Sequence, residues 1–202
     1  MDVTCAILAG GKSTRMGKDK ATMKVCEKPL ILVVDEKVQP VFKKIIIVSS
    51  VHDQFPGIDA PIVRDIAPFR SSMVGIASAL LSADTPYVFV LACDMPFVTE
   101  QSIGYMLKAV HGEEVVIPRT QYGWEALHAV YNRSCLSVML THIWFNRLKI
   151  IRTLPFFSVR EVREHPAFIN GKISVFTNIN VEEDLGLVED LNNISCVTPS
   201  SG

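Results

Sequence analysis

Val3-Thr4-Cys5-Ala6-Ile7-Leu8-Ala9-Gly10-Gly11-Lys12-Ser13-Thr14-Arg15-Met16-Gly17-Lys18-Asp19-Lys20 is the stretch from which the rest of the chain can be read. Val3 to Leu8 are small, β-branched or apolar without alternation, the pattern of a strand buried on both faces of a parallel sheet. A glycine loop and a helix start follow. Gly10 and Gly11 let the backbone turn sharply and approach a ligand with no Cβ in the way, so their amides can face anionic oxygens. Arg15, Lys18 and Lys20 bring positive charge to the same loop and helix start, where the helix dipole has the same sign. These residues describe a phosphate cradle, with Lys12 and Lys18 as solvated charges that attract an anion.

Outward from that loop, strands and helices alternate. Leu30 to about Pro40 or Phe42 reads as a helix, and Lys44 to Ser50 as a second strand. Ile62 to Asp65 is a short edge strand. Ser72 to Ala83 is a helix closed by Asp84, Thr85 and Pro86. Tyr87 to Asp94 is the most hydrophobic strand and ends abruptly in a carboxylate before Pro96. Thr99 is placed to cap a helix running to about Val110. Glu114 to Pro118 and Leu127 to Tyr131 read as a strand and its return across a turn at Tyr122 to Trp124. Ser134 to Leu148 reads as helix, Ile150 to Phe157 as another short helix, and Arg160 to His165 as a half-exposed strand. Glu182, Glu183 and Asp184 suit the first turn of a further helix. This alternation implies right-handed βαβ crossovers and a mostly parallel sheet covered on both faces. Ligands of such sheets sit outside the carboxyl ends of the strands, a rule that puts Gly10, Gly11, Ser49, Ser50, Asp65 and Asp94 on one rim.

With 202 residues, 49% of them hydrophobic, the chain can bury a substantial core, and residues 1–194 are expected to form one domain ahead of a polar, disordered tail at 195–202. Twenty basic against 21 acidic residues leave a formal charge of −1, which gives no global reason to expect nucleic acid or a membrane surface as partner. No apolar run approaches the roughly 20 residues of a membrane span, and no signal-peptide pattern is seen at the N-terminus. Cys5, Cys26, Cys93, Cys135 and Cys196 are odd in number and lack C-x-x-C pairing, so neither a disulfide framework nor a structural zinc site is expected. A cytoplasmic location fits that usage.

Gly11-Lys12-Ser13 invites a P-loop reading, but that motif needs a glycine where Ala6 stands. The dinucleotide fingerprint fails too, since Gly10 and Gly11 are adjacent and the next glycine is Gly17. What remains, L-A-G-G-x-x-x-R-M-G-x-D-K, resembles the signature of nucleotidyltransferases, and most closely that of the molybdenum cofactor guanylyltransferase (MobA-like) family. Leu91-Ala92-Cys93-Asp94-Met95-Pro96-Phe97, Asp65-Ile66-Ala67-Pro68 with Gly75-Ile76, and Asn178-Ile179-Asn180 with Asp184-Leu185 extend the resemblance to Leu185. The chain departs from the family at Ser71-Ser72, where a G-P pair is usual, and at Ala126, where proline precedes leucine.

The resemblance implies a Rossmann-like three-layer α/β/α nucleotidyltransferase fold with a mostly parallel central sheet. It implies transfer of GMP from Mg-GTP to molybdopterin with release of pyrophosphate, and transient contact with molybdenum cofactor insertion proteins or apoenzymes. Leu8, Ala9 and Gly10 would contact guanine and ribose, with Gly11, Lys20 and Asp65 also on the nucleotide. Asp94 would hold Mg²⁺, Arg15 would lie against the triphosphate, and Asn178 and Asn180 would lie near the acceptor phosphate or metal. Arg15, Lys20 and Asp94 would be the catalytic residues. A cytidylyltransferase or a sugar-phosphate nucleotidylyltransferase could use the same loop, and the Ser71-Ser72 segment also admits a degenerate nucleotide-binding protein that delivers cofactor. Ser49, Ser50, His128, Cys93, Trp124 and Trp144 read as structural: strand-end polar residues, a packed histidine and ordinary core.

Overall fold

The computed structural model describes residues 2–10, 20–25, 28–51 and 55–179, Lys20 and Val25 by their backbone alone. Expectations for Gly11, Lys12, Arg15, Lys18, the Lys20 side chain, Asn180, the 182–185 helix and the 195–202 tail fall outside these residues.

The first strand, β1 (Val3–Leu8), is buried along its whole length, as its unbroken apolar run requires. A 3-10 turn at Lys20–Thr22 and a small hairpin, β2 (Lys24–Val25) and β3 (Lys28–Pro29), lead into α1 (Leu30–Val38). Then come β4 (Lys44–Val48), β5 (Ile62–Val63), α2 (Ser72–Ser82), β6 (Tyr87–Ala92) and α3 (Glu100–Lys108). Thr99 caps α3 as expected, its side chain accepting from the Ser102 amide while Ser102 reaches back to the Thr99 amide. The second half supplies β7 (Val115–Thr120), β8 (Gly123–Trp124), β9 (His128–Asn132), α4 (Leu136–Trp144) and β10 (Val159–Arg163), followed by a hairpin of β11 (Ile169–Asn170) and β12 (Ile173–Ser174).

One sheet carries the order β10-β7-β9-β6-β1-β4-β5, with β8 added on β7. It is parallel except where β9 runs antiparallel between β6 and β7 and where β8 runs antiparallel on β7. α1 and α3 cover one face, where Ile31, Val34, Val38, Ile103 and Met106 join Cys5, Ile7, Phe89 and Leu91. α2 and α4 cover the other, where Met73, Ile76, Leu80, Met139 and Ile143 meet Ala6, Leu8, Val88 and Val90. The result is a three-layer α/β/α fold with a largely parallel sheet. From β1 the chain moves one way to β4 and β5, then crosses under α2 to β6 on the other flank. The order therefore reverses at β1, which makes its carboxyl end the switch point where a crevice opens.

Three elements differ from the sequence reading. The helix read to Leu148 stops at Trp144 because Asn146 adopts a left-handed conformation (φ 53°), a residue type that tolerates it, and the Arg147 amide closes the end on the His142 carbonyl at 2.8 Å. The helix read over Ile150 to Phe157 is two 3-10 turns, Ile150–Arg152 and Leu154–Phe156, joined at buried Thr153. Pro155, which cannot donate a backbone hydrogen bond, sits in the second. Trp144 is not packed at all, being 85% exposed.

Candidate functional site

The rim at the end of β1 is built by three neighbouring strands. Past β1, Ala9 donates to the Val48 carbonyl at 2.9 Å and so holds the start of the glycine loop against β4. Past β4, Ser49 is buried and donates its amide to Val63 at 2.9 Å, while Ser50 turns outward. Past β5, the chain swings back so that Asp65 faces Gly10. The position of a Cβ on Gly10 would lie only 3.9 Å from Asp65 Oδ2, so the carboxylate and the loop backbone form two walls of one cleft.

The third wall is the first turn of α2. Ser71 caps the helix, its Oγ accepting from the Val74 amide at 3.3 Å, and Arg70, Ser71, Ser72 and Gly75 line the cleft with Leu8, Gly10, Val48, Ser50 and Asp65. The helix thereby turns its partially positive end toward the opening, where an anionic or electron-rich ligand is favoured. Gly75 is required by close approach: a Cβ there would come within 3.2 Å of Leu8 Cδ1. Burial pushes the Asp65 carboxyl above the usual carboxylate range, with hydrogen bonds from Ser50 and Ser78 pulling the other way. Ser78 also ties the segment to α2, accepting from the Ile66 amide at 3.0 Å and donating to the Val74 carbonyl at 2.8 Å.

Asp94 stands on the other flank of β1, just beyond β6, and is half-buried. Backbone hydrogen bonds hold this strand end in place. The Cys93 amide bonds to Leu8 at 3.1 Å, the Ala92 amide to Leu127 at 3.2 Å, and the Asp94 carbonyl accepts from Ile179 at 2.9 Å. That last bond brings exposed Asn178 to the same strand end. The structure thus gathers Gly10, Ser50 and Asp65 into one cleft and sets Asp94 with Asn178 across β1 from it. Ser49 is core. Arg70 is a cleft residue that the sequence reading did not single out, since nothing marks a lone arginine before a helix cap. His128 is wholly buried among Phe89, Phe168 and Phe176, and Cys93 is core, both as read.

A divalent cation held mainly by substrate phosphates and water needs one or two protein carboxylates rather than a closed cage. Asp94, on a rigid strand end and open on one side, fits that demand. Among the described residues no three His, Cys, Asp or Glu side chains gather as a ligand cage.

A largely parallel α/β sheet with a glycine-lined cleft at its switch point and a strand-end carboxylate across β1 from it is the architecture of an α/β nucleotidyltransferase. Residues 5–151 match the family model described as a MobA-like NTP transferase domain, and the chain belongs to that family. It is 33% identical to the molybdenum cofactor guanylyltransferase of Desulfosudis oleivorans over 190 residues, 93% of this chain and 94% of that one. It is also 33% identical to a probable molybdenum cofactor guanylyltransferase of Clostridium perfringens over 186 residues, covering 90% and 93%. The crystal structure of molybdopterin-guanine dinucleotide biosynthesis protein A from Archaeoglobus fulgidus superposes with a TM-score of 0.79 at 28% identity, over 95% of this chain and 99% of that one. A cytidylyltransferase from Thermus thermophilus shares the fold at 15% identity, with a TM-score of 0.70 over 96% of this chain and all of that one.

Proposed function

We propose that this enzyme transfers GMP from GTP to molybdopterin in a Mg²⁺-dependent reaction, forming the guanine dinucleotide cofactor and pyrophosphate. One observation carries the reading: the cleft of Gly10, Asp65 and the α2 N-terminus lies across β1 from Asp94, in a chain of which 93% aligns with a relative named molybdenum cofactor guanylyltransferase. The base and ribose enter the cleft, where Asp65 and the Ser50, Ser71 and Ser72 hydroxyls offer acceptors and donors. The α-phosphate then lies over the end of β1, facing the Asp94 side.

In the chemical step an acceptor phosphate oxygen attacks the α-phosphorus, a new P–O bond forms, and the bond to the β-phosphate oxygen breaks in line with it. Two anions are brought together, so the chain's work is to neutralise and orient them. Asp94 and Asn178 would hold the metal and the acceptor phosphate, with Arg15, Lys20 and Asn180 assigned to the same work from the sequence. Bound Mg²⁺ supplies charge neutralisation at the phosphates and fixes their geometry. No protein nucleophile is required. The reaction is assigned to the reducing cytoplasm, a reading supported by an odd set of five cysteines with no C-x-x-C spacing.

The test is pyrophosphate release from GTP, ATP, CTP and UTP with Mg²⁺ and molybdopterin. Release with GTP alone is expected. Absence of release with a proven acceptor preparation sinks the assignment, and release with CTP instead makes the enzyme a cytidylyltransferase.

A further inference from the structure

Asp94 leaves β6 on the turn Asp94-Met95-Pro96-Phe97, which leads to the α3 cap at Thr99. The Pro96 and Phe97 carbonyls lie ahead of that helix and accept from no backbone amide among the described residues. Side chains from two remote elements take them instead. Lys37 Nζ of α1 donates to the Pro96 carbonyl, and Asn170 Nδ2 of β11 donates to the Phe97 carbonyl at 3.2 Å. The Asp94 carbonyl accepts from the Ile179 amide at 2.9 Å, and the Met95 amide closes the turn on Ala92 at 3.2 Å. Three segments far apart in the chain therefore converge on this one turn.

Both side-chain ties are backed by packing. Phe97 is wholly buried with Leu30 and Ile179, and Ile173, across the hairpin from Asn170, packs against that group. Leu30 and Lys37 are seven residues apart on α1 and so share a face, about 10 Å apart along the axis. A long helical side chain leans toward its helix N-terminus, which carries Lys37 toward the Leu30 end where Phe97 packs. Lys37 is half-buried, and burial pulls its ammonium below the usual lysine range. A lysine with nothing to hold would extend into water, where its strongly hydrated ammonium is favoured.

We infer that Lys37 and Asn170 are positioning residues for Asp94: they hold the Pro96 and Phe97 carbonyls, and so fix the turn that aims the carboxylate at the metal. The inference rests on the assignment of Asp94 made above. Mg²⁺ demands near-ideal octahedral geometry and takes only one or two protein carboxylates, so a ligand that drifts weakens the whole site. Partners standing behind a metal ligand change affinity or activity by about 10–100-fold when removed.

The test uses Lys37→Met and Asn170→Asp, each of which removes the donor and keeps the side chain's bulk. Titration calorimetry of a GTP analogue with a methylene group between the α- and β-phosphorus, with and without Mg²⁺, reads the metal's contribution in the absence of turnover. Affinity in Mg²⁺ should fall about tenfold in each variant, with metal-free affinity unchanged. Lys37→Arg, which keeps a donor, should recover it to within about threefold of the parent. In pyrophosphate release, kcat should fall about 10–100-fold while KM for GTP holds within about twofold. Hydrogen exchange should quicken at residues 92–98 and stay as in the parent in β1 and β4, at an unchanged melting temperature. The two variants alter different elements, so a folding defect in one leaves the other decisive. Variants that match the parent in Mg²⁺, or that lose metal-free binding equally, overturn the inference, as does a Lys37→Arg no better than Lys37→Met. A parent that binds the analogue no better with Mg²⁺ and releases no pyrophosphate removes the functional reading itself, and the inference falls with it.

Discussion

Asp65 Oδ2 lies 3.9 Å from the point where a side chain on Gly10 would begin. That is ordinary van der Waals contact, so Gly10→Ala fits the folded chain and fills the mouth of the cleft instead. The melting temperature should hold within about 2 °C while affinity for GTP, read by calorimetry, falls about tenfold, or about 1.4 kcal/mol. Unchanged affinity would show that nucleotide does not pass between these two residues.

Gly75→Ala separates stability from site shape by a different route. Replacing a helical glycine stabilises by about 1 kcal/mol, while a Cβ at 3.2 Å from Leu8 Cδ1 forces Leu8 to shift, at a cost of about the same size. Leu8 can give way toward the cleft that it lines, so the two effects offset in a urea melt. The cleft narrows, and GTP binding should weaken about threefold to tenfold. A large drop in the urea midpoint would mean that Leu8 cannot move.

Asp94→Asn keeps the shape of the β6 terminus and the backbone bond from Ile179 while removing the charge. Turnover should fall about 10²–10³-fold, by analogy with the loss of other transition-state charge stabilisers. Nucleotide binding measured without Mg²⁺ should stay as in the parent. Near-parental turnover at saturating Mg²⁺ would remove Asp94 from the chemistry.

His128 predicts an acid sensitivity of the fold. Its ring is wholly buried against Phe89, Phe168 and Phe176 with both nitrogens lacking a completed hydrogen bond, and burial pushes its pKa down to about 3. The unfolded chain binds a proton there near pH 6.5, so below that pH the unfolded state holds more protons than the folded one. Stability should therefore be full above about pH 6.5 and fall by up to about 1.4 kcal/mol per pH unit toward pH 3 from this residue alone. Denaturant melts of the parent and of His128→Phe should keep a constant offset above about pH 6.5 and diverge below it, the parent losing stability that the variant retains. An offset that stays constant down to about pH 3 would show that the histidine is not the group responsible.

Much of this architecture is legible in residues. β1, β4 and β6 announce themselves because strands buried on both faces must be apolar throughout, and the polar residues that end them, Ser49, Ser50 and Asp94, mark the rim. Asp65 joins Gly10 because β5 is parallel to β4 and ends at the same level, which strand periodicity and the crossover rule anticipate. The insertion of β9 between β6 and β7 is not legible, since a hairpin's own sequence does not say which strand it will pair with beyond its partner. Nor is the exposure of Trp144, because an aromatic on a helix reads as core until the helix's facing side is known. The β11–β12 hairpin left a usable sign in Asn170-Gly171, where Gly171 adopts φ 63°. Two-residue strands carry too little alternation to be noticed otherwise.

The antiparallel β9 also sets an order of events during synthesis. When the ribosome has released the chain through β6, the parallel strands β5, β4, β1 and β6 can already associate, with α1 and α2 on their two faces. One edge of that intermediate is β6, the run Tyr87–Ala92, whose residues from Val88 onward are buried in the finished protein. An unpaired apolar edge recruits other chains until something covers it. The nascent protein therefore depends on a chaperone, or on fast arrival of His128–Asn132, for a window set by the translation of roughly forty further residues at about 5–20 per second.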